Sequence, residues 1–139
     1  WQYGGSGDQI YKYDTSASAK SDLSIITKDI DFGDPSRRKK IYKVYITYDT
    51  GNATSNLHVH YRTNGNASSN YNFANGTNFS GNELATANGW SVAELKPDTS
   101  AEANNIKSFQ LVFFESGGSV PSGLKINDIS IVYRQKGIK

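Results

Sequence analysis

Two histidines, three closely spaced aspartates and a run of four cations are the residues of this 139-residue chain whose types and spacing can do chemistry. His58 and His60 are the only histidines, and an i, i+2 spacing on a strand sends both imidazoles to one side. With a third ligand from a neighbouring strand they make a metal site. Without one they are two rings on the solvent side of a half-exposed strand, and no ligand cluster surrounds them in sequence. Asp29, Asp31 and Asp34 offer oxygen ligands of the kind Ca²⁺ takes. Their spacing lacks the EF-hand pattern, however, and Gly33-Asp34-Pro35 reads as a ready turn. The expectation is a chain without a cofactor.

Arg37-Arg38-Lys39-Lys40 is a compact basic run. It can contact phosphate, a sulfated sugar or an acidic partner, and is the candidate protein interface. The competing role is a solvated strand edge, where lysine discourages edge-to-edge pairing. Charge is uneven along the chain: residues 1–36 hold six acids and three bases, residues 37–62 six bases and one acid. Strands of opposite sign can therefore pair within the domain or between subunits.

Trp90, Tyr71 and Trp1, with Asn72, are the candidates for sugar binding through ring stacking and amide hydrogen bonds. Each aromatic serves equally well as a core or interface anchor. Thirteen asparagines give four N-x-S/T triplets, at Asn52, Asn66, Asn75 and Asn78, close to chance in so Ser/Thr-rich a chain, so glycosylation is not indicated. No nucleophile elbow, Ser/His/Asp grouping or glycine-rich phosphate loop is present. Glu83, Glu94, Glu102 and Glu115 are available for a glycosidase-type pair, yet nothing selects two of them. A non-enzyme is expected.

The elements that must position these residues are strands, because period-2 alternation runs through nearly the whole chain. Residues 8–13 and 22–30 read as short strands joined by a polar linker. Residues 38–48 form the strongest strand, with Tyr42, Val44, Ile46 and Tyr48 on the expected core face. Residues 57–62 alternate without fault, Leu57, Val59 and Tyr61 inward. Residues 63–89 are rich in Asn, Gly and Ser, pinned by Tyr71, Phe73 and Phe79. In 90–95, Trp90, Val92 and Glu94 share a face. Ser100 and Glu102 fit one helical turn, and residues 106–114 put Phe109, Leu111 and Phe113 on one face. Residues 124–133 alternate twice, out of phase, which places a β-bulge at Asn127-Asp128. About eight strands with no room for parallel crossovers predict one all-β domain, an antiparallel β-sandwich of jelly-roll or Ig-like type.

Composition agrees with that class and excludes others. With no cysteine there is no disulfide framework and no thiolate zinc site. The hydrophobic fraction is 36%, and no apolar run approaches the ~20 residues of a membrane span. A formal charge of +2 does not announce a specific nucleic-acid partner. A start at Trp1 and the absence of Met lead us to expect a fragment of a longer protein.

Residues 26–48, with Asp31-Phe32-Gly33, Pro35 and the basic run before Tyr42-Lys43-Val44-Tyr45, resemble a recurrent stretch in β-sandwich domains of tail-associated structural proteins of tailed bacteriophages. Residues 90–134 resemble the second half of such domains. Residues 49–89 match no motif, as variable loops would. The resemblance implies a non-catalytic virion component, located in the extracellular particle, that docks to copies of itself or to neighbouring virion proteins. The alternatives are a carbohydrate- or host-receptor-binding module using the 63–89 loops and, behind it, a polysaccharide-acting enzyme domain.

Overall fold

The computed structural model describes residues 2–4, 9–11, 23–74, 84–98, 101–115 and 120–137, the first two segments as backbone only. Alternating segments become strands: β1 (Gln2–Gly4), β2 (Gln9–Tyr11), β3 (Ser24–Ile26), β4 (Lys39–Asp49), β5 (Leu57–Thr63), β6 (Tyr71–Ala74), β7 (Ser91–Pro97), β8 (Asn104–Ile106), β9 (Phe109–Glu115) and β10 (Lys125–Gln135). β1 and β2 pair as a ribbon. The other strands follow the order β10-β4-β7-β6-β5-β9-β3, with β8 also paired to β4. Every pairing is antiparallel. The fold is all-β, as expected, with no helix among the described residues. Trp1, the 15–21 linker, Phe79, Glu83 and Ser100 lie outside those residues.

The core draws on both ends of this order. Leu57, Val59 and Tyr61 from β5, Phe109, Leu111 and Phe113 from β9, and Val44, Ile46 and Tyr48 from β4 are all buried in one cluster. Phe73 anchors β6 in it as well. The bulge near Asn127 is present: Ile126 faces Tyr48 and Asp128 faces Thr47, so Asn127 is the extra residue.

Two expectations need correction. First, the register skips Tyr42, since Val132 faces Lys43 and Tyr133 faces Ile41. This second bulge shifts the phase of β4, so Ile41 is buried and Tyr42 is exposed. On β7 the shared face of Trp90, Val92 and Glu94 is the outer one. Leu95 is buried and Ala93 packs on the core, while Trp90 and Val92 are 58% and 64% exposed. The register requires it: Ala93 lies opposite buried Ile46, and Val92 opposite Thr47. Second, residues 101–103 of the expected helical turn form a non-helical turn in which the Asn104 N–H donates to Ala101 O at 3.2 Å, its expected cap Ser100 lying outside the described residues. The chain then enters β8, which pairs with Lys39 and Lys40. Pairing to an existing strand outweighs a weak local helical preference.

Two turns fix the ends of β4. At its start Phe32 and Gly33 have φ of +59° and +77°, a conformation strained for phenylalanine. Its ring lies 4.2 Å from that of Tyr133, and the Lys39 ammonium sits 5.9 Å from its centroid. Those contacts offset the strain. At the other end Gly51 has φ of +62°. A Cβ on Gly123 would come within 2.9 Å of Gly51 Cα, so both positions exclude side chains. Buried Thr50 donates its hydroxyl to Ala87 O at 2.9 Å and accepts the Ala87 N–H at 2.8 Å. Asp49 accepts from the Gly89 N–H at 3.2 Å. Together these bonds hang the segment leading to Trp90 from the end of β4.

Candidate functional site

The sheet β10-β4-β7 has a core face and an outer face, and the outer face carries a gradient of chemistry. In register across it run Asp128, Thr47 and Val92, then Ser130, Tyr45 and Glu94. Val132 lies opposite Lys43 and is 44% exposed. Trp90 precedes Val92 by two residues at the same end. One end is therefore apolar on its β7 side, where Trp90 and Val92 are open to solvent beside Thr47 and Asp128.

The middle is a charged knot. Glu94 Oε1 accepts Lys43 Nζ at 2.9 Å and Lys96 Nζ at 3.1 Å, and Oε2 accepts the Tyr45 hydroxyl at 2.9 Å. The Lys43 hydrogen bond first, then those of Tyr45 and Lys96, lower the Glu94 pKa from 4.5 to about 2. The Lys43 pKa is raised, chiefly by the same bond. Because the folded pKa of Glu94 lies below the unfolded one, its contribution to stability is complete above pH 4.5 and is lost as pH falls toward about 2. We expect a carboxyl NMR titration of Glu94 with its midpoint near pH 2. Glu94→Gln should flatten the stability loss across that window. A midpoint at the ordinary glutamate value would contradict the knot.

The other end is cationic. Lys40 faces Arg134 in register, and one rung further the Lys136 N–H donates to Arg38 O at 2.8 Å. Strand alternation puts Arg38, Lys40, Arg134 and Lys136 on the outer face, because Lys39 between the first two is buried. The exposed Tyr42 ring lies beside them, 5.1 Å from Lys40 Nζ. A cleft of about 820 Å³ opens here between residues 36–38, 104–105 and 136–137. Arg38 Nη1 is oriented by Asn105 O at 2.9 Å. Arg37 pairs with Asp34 at 3.4 Å, whose pKa is lowered first by the Ser36 hydroxyl hydrogen bond. Asn104 Oδ1 has no hydrogen-bond partner among the described residues.

The basic run thus divides. Arg37 and Arg38 line the cleft and Lys40 lies one rung from Arg38 opposite Arg134, but Lys39 is 0% exposed. Its ammonium donates to Asp34 O and to Lys107 O, the latter at 3.0 Å. It is a structural cation, removed from any interface, and β4 is an interior strand, not an edge. Arg134 and Lys136 complete the patch, and sequence reasoning missed them. Their i, i+2 spacing carried the signal, but only the pairing of β10 with β4 makes it legible.

The remaining candidates do not converge. His58 and His60 share one side of β5, as their spacing requires, and both pack on Phe114, with ring centroids at 5.2 and 4.5 Å. No group of three metal-ligating side chains exists among the described residues. Asp29 accepts from the Ser108 hydroxyl, Asp31 from the Gly33 N–H and Asp34 from Ser36. These carboxylates close turns and tie segments together. Tyr71 packs against the core beside Tyr61, and Asn72 is exposed on the same strand. Trp90 is remote from them. β6 pairs with β7 at Pro97, and the seven residues back to Trp90 span roughly 23 Å. Glu94 and Glu115 lie on β7 and β9, strands separated by β6 and β5, and Glu102 is in the exposed turn before β8. Comparisons with protein-family models, curated proteins and solved structures yield no match to this chain.

Proposed function

We propose that this chain is a non-catalytic assembly domain of a virion, tail-associated and built as a β-sandwich of jelly-roll or Ig-like type. It docks to copies of itself, with neighbouring virion proteins as further partners. The observation that carries the docking is the exposure of Trp90 and Val92 two residues apart at one end of the sheet face, with Val132 exposed on the same face beyond the Lys43–Glu94 knot, since exposed apolar side chains on a regular surface mark interaction sites. A second copy fits because β10 ends the sheet order and is eleven residues long. Two-fold pairing of β10 strands would join two outer faces into one. Location in a virion rests on the resemblance of residues 26–48 and 90–134, and the single core shared by both strand groups supports the sandwich.

Sedimentation velocity over a concentration series tests the docking. The wild-type chain should form a dimer, and Val92→Asp combined with Val132→Asp should leave a folded monomer. A wild-type chain that stays monomeric at hundreds of micromolar would overturn self-docking. A parent reading frame flanked by metabolic rather than particle genes would overturn the virion assignment.

A further inference from the structure

We propose that the cationic end of the outer face binds an anionic saccharide, a sugar bearing sulfate, phosphate or carboxylate groups. Arg38, Lys40, Arg134 and Lys136 occupy two rungs of adjacent strands. Strand geometry spaces them about 7 Å along and about 5 Å across. None of the four has a carboxylate partner among the described residues. Like charges directly opposed across strands are destabilising, and an anion lying between them relieves that repulsion. Edge protection does not explain Lys40, because β4 is paired on both sides there.

The cleft narrows the ligand class. About 820 Å³ is the size of a small-molecule site. Its wall mixes cations with the Ser36 hydroxyl and the amides of Asn104 and Asn105. Cations answer the acidic groups of a sugar, and the hydroxyl and amides answer its hydroxyl groups. The exposed Tyr42 ring, with Lys40 Nζ over one face at 5.1 Å, leaves its other face for the apolar side of a pyranose that reaches Lys40. A nucleic-acid footprint would extend over a whole face or domain. Here the net charge is only +2, and the same sheet face turns apolar at its other end.

Chemical-shift titrations with a fully sulfated disaccharide, its unsulfated form, inorganic sulfate and a short oligothymidylate test this. The sulfated sugar should move the amides of Arg38, Lys40, Asn105 and Lys136, and its affinity should weaken with added salt. The unsulfated sugar and inorganic sulfate should bind at least about tenfold more weakly, roughly 1.4 kcal/mol. Lys136→Gln and Arg134→Gln should each weaken binding severalfold while leaving distant amides in place. The proposal is overturned by unmoved amides, by variants that bind like wild type, by sulfate binding as tightly as the sugar, or by oligothymidylate binding more tightly than either. None of these readouts depends on self-association, so this proposal and the docking reading can fail separately.

Discussion

Replacing Lys39 with alanine is expected to destabilise the domain by about 3–5 kcal/mol, a large share of the ~5–15 kcal/mol that holds a domain together. Its ammonium is wholly buried, donates to the carbonyls of Asp34 and Lys107, and lies under no carboxylate among the described residues. Deleting it leaves two carbonyls without their charged donor, and the missing stem leaves a cavity in a packed region. Lys39→Met separates the two effects. Methionine refills most of the volume, so the remaining loss, about 1–3 kcal/mol, reports the hydrogen bonds alone. Urea unfolding of both variants gives the numbers. If Lys39→Met matched wild type, desolvation of the ammonium would cancel its bonds, and Lys39 would be a packing residue. Because Lys39 ties the 31–38 turn to residue 107, both variants should also loosen the cleft wall formed by Ser36, Arg37 and Arg38.

Lys39 also shows where sequence reading stops. Within Arg37–Lys40 all four residues look alike, and only β4's neighbours decide which side each takes. Alternation was sufficient on β5, where Leu57, Val59 and Tyr61 are buried as their period demands. It located the Asn127 bulge because an apolar pattern broke phase in plain view. The bulge at Tyr42 is hidden, since Tyr42 and Ile41 are both plausible core residues and only register distinguishes them. On β7 the spacing shows that Trp90, Val92 and Glu94 share a face, but only register assigns that face to the outside. Trp90 and Val92 are more hydrophobic than Ser91 and Ala93, but Ala93 is the residue that faces Ile46.

The cationic end was half legible. The run at 37–40 stands out by composition, whereas Arg134 and Lys136 are unremarkable until β10 is laid beside β4. The sugar-binding trio was selected by residue type alone, and the sheet order places Trp90 at the far end of β7 from Tyr71 and Asn72. Long-range register, which no local pattern encodes, assembles one site and disperses the other.

Tyr61→Ala is expected to be the second severe substitution, costing about 3–5 kcal/mol. The ring is fully buried, with centroids 5.0 Å from Phe73, 5.5 Å from Phe109 and 5.5 Å from Tyr71. It therefore joins β5 to both its neighbours, and it backs β6, the strand through which the β5-β9 side reaches β7 and the outer face. Truncation leaves a cavity among three aromatic rings that are themselves constrained by strand register, so relaxation is limited. Among the described residues β6 meets β7 through Phe73 with Pro97, Ala74 with Lys96 and the Asp98 N–H donating to Asn72 O at 3.1 Å, a short seam to lose its backing. Tyr61→Phe keeps the ring contacts and should stay within about 1.5 kcal/mol of wild type. Hydrogen exchange should then show Tyr61→Ala opening β6 before β4 and β10, whose long pairing survives. If Tyr61→Phe cost as much as Tyr61→Ala, the hydroxyl and not the ring cluster would hold the two sides of the sheet together. If β4 and β10 opened together with β6, the seam would be no weaker than the rest of the sheet.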